Sequence, residues 1–194
     1  MPSQHTGTAI ALHRDDVDTD QIVPAEFCKR ITKTGYDDAL FVRWREDPDF
    51  PLNRPEAAQA SVLIAGHNFG TGSSREHAVW ALRDWGFQAV VATSFGDIFR
   101  RNSLKNRLLP VELPARSLGE LAGLVDAAPQ TAVSVDLVDL MVRAGPLSYR
   151  FALEDRARGM LLEDLDEIAV TLSGDEAICA HERSRSEWLP VIGV

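Results

Sequence analysis

The chain has 194 residues, of which 45% are hydrophobic and 25% are charged, a composition typical of one globular domain with its own core. Its net charge of −9 argues against a surface that binds nucleic acid. No apolar run is long enough to cross a membrane, and residues 1–13 lack the basic start and apolar core of a secretory signal. We therefore predict a cytoplasmic protein that has neither nucleic acid nor a membrane as a partner.

The predicted elements alternate between strands and helices through the first two thirds of the chain. We predict strands over residues 8–13, 61–65, 88–93 and 108–113 and helices over residues 36–45, 74–85, 96–106 and 117–127. An aspartate-rich turn follows the first strand, and residues 24–35 form a loop or a short helix. From residue 132 to 153 the pattern changes to alternating β segments, and helical stretches follow at 156–162 and 175–183. This order predicts an α/β domain with an added antiparallel layer.

Residues 68–77, with the sequence NFGTGSSREH, join a predicted buried strand to a predicted helix. Gly70 and Gly72 allow a positive φ and a close approach of the backbone to a ligand. The first N–H groups of a helix are unpaired and lie at the positive end of its macrodipole, where anions bind. Together with Arg75, this turn predicts a site for a carboxylate or a phosphate.

The same turn also fits a purely structural interpretation. Ser73 and Glu76 match the S-x-x-E capping box, in which the two side chains satisfy backbone donors at a helix N-terminus. A cap alone would not require Arg75, Ser74 or the two glycines. The segment lacks both the lysine and spacing of a P-loop and the third glycine of a dinucleotide fingerprint, so these two nucleotide sites are excluded.

Three sequence blocks, in the order found here, resemble the mobile C-terminal swivel domain of the aconitase superfamily. They are DVDTDQIVPA at residues 16–25, NFGTGSSREHA at residues 68–78, and SFGDIF with a following asparagine and LLP within residues 94–110. Residues 165–180 also resemble the C-terminal tail of the separate small subunits of 3-isopropylmalate dehydratases. The resemblance therefore implies a swivelling β/β/α fold, as one domain over residues 1–194 with a helical C-terminal tail.

The resemblance implies a hydro-lyase that interconverts 2- and 3-isopropylmalate in leucine biosynthesis, through dehydration and rehydration. Such chemistry needs a base, carboxylate clamps and a Lewis acid. In this family the Lewis acid is a four-iron four-sulfur cluster on a separate large subunit, which implies a heterodimer with the active site between the subunits. Cys28 and Cys179 are too few for a cluster that needs about three or four cysteine ligands, so we expect no metal or cofactor on this chain.

The resemblance also implies roles for individual residues. Ser73 is expected to be the catalytic base in its alkoxide form, because a helix N-terminus and Arg75 would stabilise the anion. Arg75 can bind a carboxylate in bidentate fashion, and Asp20 is expected to orient the serine and the arginine. Without the resemblance, Arg75 is an ordinary first-turn arginine and Asp20 an Asx-turn residue. Three neighbours of the base are expected to contact the substrate: Thr71, Gly72 and Ser74.

A second carboxylate clamp is expected in residues 24–36, where the family has an arginine after the Pro-Ala pair. Arg30 is the nearest arginine, but its spacing from Pro24 is shorter than in aconitases. Three other residues are candidates for the same place: Lys29, Thr32 and Lys33. Apolar residues of this loop either face the isopropyl group of the substrate or pack the loop: Phe27, Cys28 and Ile31.

Two other functions stay open at this point. The same chemistry could act on homoaconitate, citramalate or a dimethylmalate, which only the loop at residues 24–36 and substrate screening could separate. A non-catalytic module that kept the anion-binding turn is the alternative from a different class. The set of Ser73, Arg75 and Asp20 favours an enzyme over that module.

Overall fold

The chain is organised around one seven-stranded sheet, in a computed structural model that describes residues 3–186 and residue 188. Its strands in chain order are β1 (Gln4–Leu12), β2 (Ala60–Ala65), β3 (Ala89–Ala92), β4 (Leu109–Glu112), β5 (Ala132–Asp136), β6 (Met141–Ala144) and β7 (Leu147–Arg150). They lie in the order β4-β3-β2-β1-β5-β6-β7. Strands β1 to β4 are parallel, and β5 to β7 add an antiparallel extension to the free edge of β1.

Helices cover both faces of this sheet. They are α1 (Thr19–Ile22), α2 (His77–Trp85), α3 (Asp97–Lys105), α4 (Ala115–Ala127), α5 (Asp155–Glu163), α6 (Glu167–Leu172) and α7 (Asp175–Ser184). Short 3-10 segments occupy Ala25–Lys29, Trp44–Glu46, Pro51–Asn53 and Pro55–Gln59. The predicted α/β class is confirmed, although the later strands extend the same sheet and do not form a separate layer.

The core is divided by the sheet, because alternate residues of a strand point to opposite faces. On β1, Ile10 and Leu12 belong to the cluster that packs against α2 and α3, whereas Ala9 and Ala11 belong to the cluster that packs against α4 and α5. The central strands are therefore apolar on both faces, as expected of a parallel sheet covered by helices.

Residues 36–45, predicted as a helix, instead form successive turns that lead into a 3-10 segment. Phe41 adopts a φ of 47° and donates its N–H to the carbonyl of Ile22 at 2.8 Å. A bulky residue in the left-handed region interrupts a helix. Since Phe41 is also buried and stacked on Trp44, tertiary packing decides this conformation against the local helical pattern.

The pairing of β1 with β2 contains one extra residue, Ser61. Thr8 is opposite Ala60 while its neighbour Ala9 is opposite Val62, so Ser61 has no partner in the ladder. Its Oγ lies 2.7 Å from Nε2 of His5. A Cβ atom at residue 7, which is glycine, would lie 2.0 Å from the same Oγ. The glycine therefore makes room for the extra residue, which fixes the register of the two strands.

Ion pairs and hydrogen bonds attach the C-terminal helices to the sheet domain. Arg158 on α5 donates to the carbonyls of Leu137 and Val138 at 2.8 and 2.7 Å. Lys105 on α3 lies 3.3 Å from Glu167 on α6. The predicted helices at 156–162 and 175–183 are confirmed, whereas α6 was not predicted. Within the described part of the chain, no helix combines the length and the apolar character needed to span a bilayer.

Candidate active site

Three loops meet at the carboxyl ends of the parallel strands β1, β2 and β3. The first two, which follow β1 and β2, are joined by backbone hydrogen bonds. Gly70 donates to the carbonyl of Val17 at 2.7 Å, and Thr19 donates to the carbonyl of Thr71 at 3.0 Å. Ligands of open α/β sheets bind outside the carboxyl ends of the strands, so a ligand-binding site is expected at this junction.

Glycines bring the third loop, which follows β3, against the second. Gly96 donates its N–H to the carbonyl of Phe69 at 2.9 Å. A Cβ at Gly96 would lie 2.7 Å from the carbonyl oxygen of Gly70, and one at Gly70 would lie 2.1 Å from the ring of Phe99. Gly70 and Gly72 have φ values of 75° and 97°, so the positive φ predicted at both positions is confirmed.

Ser73 and Arg75 are each paired with a residue of the aspartate-rich loop. Oγ of Ser73 lies 2.7 Å from Oγ1 of Thr19, and Arg75 forms an ion pair with Asp20. The backbone N–H of Arg75 also points toward Oγ of Ser73, at a long 3.4 Å. The structure thus brings together the three residues that the resemblance assigns to catalysis.

Thr19 is the functional candidate that the sequence interpretation missed. Its side chain is 1% exposed, and its hydroxyl group is a fixed partner for that of Ser73. A capping box closes the short helix that carries it. The Gln21 N–H donates to Oδ1 of Asp18 at 2.7 Å, while the Asp18 N–H donates to Oε1 of Gln21 at 2.9 Å. The D-x-x-Q pattern at residues 18–21 was the available signal.

Helix α2 begins at His77, three residues later than predicted, and has no side-chain cap. The capping box between Ser73 and Glu76 is therefore wrong. Both side chains have tertiary partners instead, since Oε1 of Glu76 accepts from Nδ2 of Asn106 at 2.6 Å. The effect of a helix macrodipole decays within its first turn. Because Ser73 precedes the helix, Arg75 becomes the main local source of positive charge.

The electrostatics of the pair keep Arg75 charged. A hydrogen bond to Asp20 raises the pKa of Arg75 above its usual value, against an opposing effect of burial. A positive charge two residues from Ser73 favours the ionised form of the serine hydroxyl. Arg75 therefore brings a positive charge to the turn, which its ion pair with Asp20 partly offsets.

A cleft of about 390 Å³ opens beside Ser73, within the range of small-molecule sites. Its lining comprises the glycine turn, with Thr71, Gly72 and Ser74, and the start of α3. Nδ2 of Asn102 on α3 donates to the carbonyl of Ser74 at 3.2 Å, which fixes the turn. The residues predicted around the base therefore line one cleft, open to the surface.

Two of the four candidates for the second clamp, Lys29 and Arg30, lie at the end of the 3-10 segment Ala25–Lys29. Arg30 has its guanidinium group bound to Asp38, at 2.8 and 2.7 Å from the two carboxylate oxygens. Lys29 is exposed and forms no ion pair with another described residue. A carboxylate ligand would therefore meet a paired arginine and an unpaired lysine in this loop.

The ring of His77, at the start of α2, is packed against aromatic side chains. Its ring packs edge-on against Tyr36 at 5.4 Å and Trp80 at 4.8 Å. Burial, and secondarily the charge of Arg75, lowers the pKa of His77. The side chain is therefore neutral near neutral pH, which suits packing between aromatic rings.

We expect this shift to make the free energy of unfolding depend on pH. The unfolded chain takes up the His77 proton near pH 6.5, whereas the folded chain takes it up only at a lower pH. Stability is thus fully present above about pH 6.5 and is lost as the pH falls toward the folded pKa. His77→Gln should flatten denaturant-derived stability between about pH 6.5 and 5, leaving a residual slope from His5, whose pKa burial also lowers. An unchanged slope, equal to that of a His181→Gln control on exposed α7, would contradict this account.

The donor set of the chain does not fit an iron–sulfur cluster. Cys28 lies in the 3-10 segment Ala25–Lys29 and Cys179 lies in α7. Two thiols fall short of the about three or four that such clusters use. Among the described residues, no group of three or more His, Cys, Asp or Glu side chains is placed to hold a metal ion.

Comparison with known proteins first defines the class. Residues 2–116 match the aconitase C-terminal domain family, and this range includes β1 to β4 and all three loops of the site. A crystal structure of 3-isopropylmalate dehydratase from Methanocaldococcus jannaschii is similar at a TM-score of 0.64 and 26% identity, covering 92% of this chain and 99% of that one.

Sequence relatives narrow the class further. The 3-isopropylmalate dehydratase small subunit of Salinispora tropica is 53% identical over 97% of this chain and 96% of its own length. That of Thermobifida fusca is 52% identical over 96% of each. The chain therefore belongs to the aconitase C-terminal domain family, among the 3-isopropylmalate dehydratase small subunits. The predicted family and fold are confirmed, as is the enzyme class, because a dehydratase is a hydro-lyase.

Proposed function

We propose that this chain pairs with an iron–sulfur large subunit to interconvert 2- and 3-isopropylmalate in the cytoplasm, as a step of leucine biosynthesis. One observation carries the proposal. The hydroxyl of Ser73 is held by Thr19, and Arg75 is held by Asp20, beside an open cleft. That arrangement occurs in a chain 53% identical to a 3-isopropylmalate dehydratase small subunit.

Ser73 is the base in this proposal. Its alkoxide takes the proton from the carbon next to a substrate carboxylate and becomes a hydroxyl group, and it returns the proton when water re-adds. Thr19 donates a hydrogen bond to the alkoxide, and the charge of Arg75 stabilises it, since both favour the ionised form. When bound to the large subunit, the four-iron four-sulfur cluster supplies the Lewis acid for the departing hydroxyl group.

Arg75 is also the first carboxylate clamp. Its guanidinium group presents five donors in a fork, so one edge can hold Asp20 while another binds a substrate carboxylate. Ser74, Thr71 and Gly72 line the cleft beside Ser73 and offer hydroxyl and backbone donors. The second carboxylate of the substrate then reaches the loop at residues 24–36, where Lys29 is exposed.

The hydroxyl of Thr19 is expected to contribute directly to turnover. Thr19→Val keeps the shape of the buried side chain but removes the donor to Ser73, and a hydrogen bond to a charged group contributes about 1.5–3 kcal/mol. We therefore expect kcat of the assembled enzyme to fall by roughly tenfold or more. Thr19→Ser keeps the hydroxyl and should recover most of the rate. Equal rates for the valine and serine variants would remove Thr19 from the mechanism.

The proposed function is tested by an anaerobic assay of the purified chain mixed with cluster-loaded large subunit, with 3-isopropylmalate as substrate. Appearance of the unsaturated intermediate is followed, beside each subunit alone. Activity only in the mixture is the expected result. A cluster-bearing complex that turns over homoaconitate or citramalate but not isopropylmalate would contradict the proposed substrate. A failure of the two subunits to associate would contradict the proposal that the chain is part of a two-subunit enzyme.

A further inference from the structure

The guanidinium group of Arg30 makes several contacts, all within the loop at residues 27–38. Its two terminal nitrogens each donate to one oxygen of Asp38, at 2.8 and 2.7 Å. Nη1 also donates to the carbonyl of Gly35 at 2.6 Å. The guanidinium carbon lies 4.9 Å from the ring centre of Phe27 and 5.4 Å from that of Tyr36. Both ends of the loop are thus held by one side chain.

Tyr36 connects this loop to the helix that follows the Ser73 turn. Its hydroxyl lies within hydrogen-bonding distance of the carbonyls of Arg30 and Thr32, at 3.3 and 3.0 Å. Its backbone N–H donates to Oδ2 of Asp84 on α2 at 2.9 Å, and its ring packs on His77. The position of the loop is therefore coupled to the helix whose first residue lies two positions after Arg75.

The tip of the loop is left outside these contacts. Ile31 is 100% exposed although it is a large apolar residue, and Lys29 and Lys33 on either side are exposed as well. Neither lysine forms an ion pair with another residue of the described chain. An apolar side chain between two free positive charges suits a ligand with an alkyl group and a carboxylate.

A bidentate arginine–carboxylate pair is the kind of exposed ion pair that contributes measurably, whereas most surface pairs contribute little. A substrate carboxylate would have to displace Asp38 to use the same fork of Arg30. It would also have to break the hydrogen bond to Gly35. If the carboxylate bound Lys29 or Lys33 instead, no ion pair with another described residue would have to be broken.

We propose that Arg30 and Asp38 form a clasp that positions the loop at residues 27–38, and that Arg30 is a positioning residue and does not bind the substrate carboxylate. The exposed tip, with Ile31 between two lysines, is then the part that meets the substrate. This inference rests on the proposed function for its catalytic consequence. The clasp itself is a property of this chain alone.

The decisive variants are Asp38→Asn and the charge swap Arg30→Asp with Asp38→Arg. If the clasp positions the loop, Asp38→Asn lowers kcat/KM of the assembled enzyme by roughly tenfold, since it removes a charge-assisted pair. The swap should then recover most of the loss suffered by Arg30→Asp alone. If Arg30 binds substrate, Asp38→Asn frees it and kcat/KM is kept or increased, while the swap stays as inactive as Arg30→Asp. That second pattern would overturn the proposal.

Trypsin digestion of the purified chain separates this test from the proposed function. Asp38→Asn keeps all the cleavage sites at residues 29, 30 and 33, so faster cutting there, identified by mass spectrometry, reports an opened loop. Asp139→Asn is the matched control, since its pair with Arg143 is 2.8 Å long and its exposure of 57% is close to the 59% of Asp38. Cutting no faster than in that control would overturn the clasp, even if no assay of activity succeeded. Faster cutting with unchanged kcat/KM would overturn the positioning role.

Discussion

Ser73→Ala is expected to lower kcat of the assembled enzyme by about 10²- to 10⁴-fold, the range typical of a lost general base. The substitution removes the proposed proton acceptor and leaves Arg75 and the glycine turn in place, so KM should change little. Association with the large subunit should also persist, because a single hydroxyl group is lost from a loop. The measurement is the initial rate of formation of the unsaturated intermediate, with binding followed by analytical ultracentrifugation.

A second serine provides the comparison for this variant. Ser148 is exposed on β7, so Ser148→Ala should leave both the rate and the association unchanged. If Ser73→Ala retained more than a tenth of the wild-type kcat, Ser73 would not be the base. If it failed to associate, the loss of rate would say nothing about proton transfer, and a binding titration detects that case.

Arg75→Lys is expected to lower kcat/KM by about a hundredfold, although the charge is kept. In the wild-type chain, Nη1 of Arg75 is paired with Asp20, and the rest of the fork remains for a substrate carboxylate. A lysine has a single nitrogen and cannot hold both partners with planar, bidentate geometry. We expect KM to rise because a clamp is lost and kcat to fall because the alkoxide loses its placed charge. Both constants come from progress curves over a range of isopropylmalate concentrations.

Arg116→Lys is the control for this substitution. Arg116 pairs with Glu120 on the exposed face of α4, and its side chain is 91% exposed. Its replacement should leave both constants at the wild-type level. A fall in kcat with no change in KM for Arg75→Lys would confine Arg75 to the stabilisation of Ser73 and would contradict its role as a clamp.

The parts of the site that sequence reasoning reached are those governed by local chemistry. Positive φ at Gly70 and Gly72 follows from the lack of a side chain, and the apolar runs before and after the turn identify β2 and α2. The family resemblance then selected Ser73, Arg75 and Asp20 from many polar residues. Their proximity in the structure agrees with that selection.

The features of the fold and the site that could not be predicted from the sequence depend on contacts between segments that are distant along the chain. Thr19 and Ser73 are separated by 54 residues, and no hydrophobic periodicity in the sequence indicates that their hydroxyl groups are in contact. The start of α2 was placed too early because Glu76, the expected capping partner, instead accepts a hydrogen bond from Asn106, the residue that follows α3. In the same way, Phe41 leaves the helical region because the carbonyl of Ile22 and a buried aromatic cluster hold it elsewhere.

The extra residue at Ser61 has a consequence at the opposite end of the strands. Thr19 follows β1 and Ser73 follows β2, so the alignment of these strands sets how far each loop advances toward the other. A slip by one residue would shift one loop by about 3.3 Å along the strand direction. The contact between the two hydroxyl groups is only 2.7 Å long and would not survive. The unpaired serine and the glycine beside it thus set the distance between Thr19 and Ser73 from the other end of the two strands.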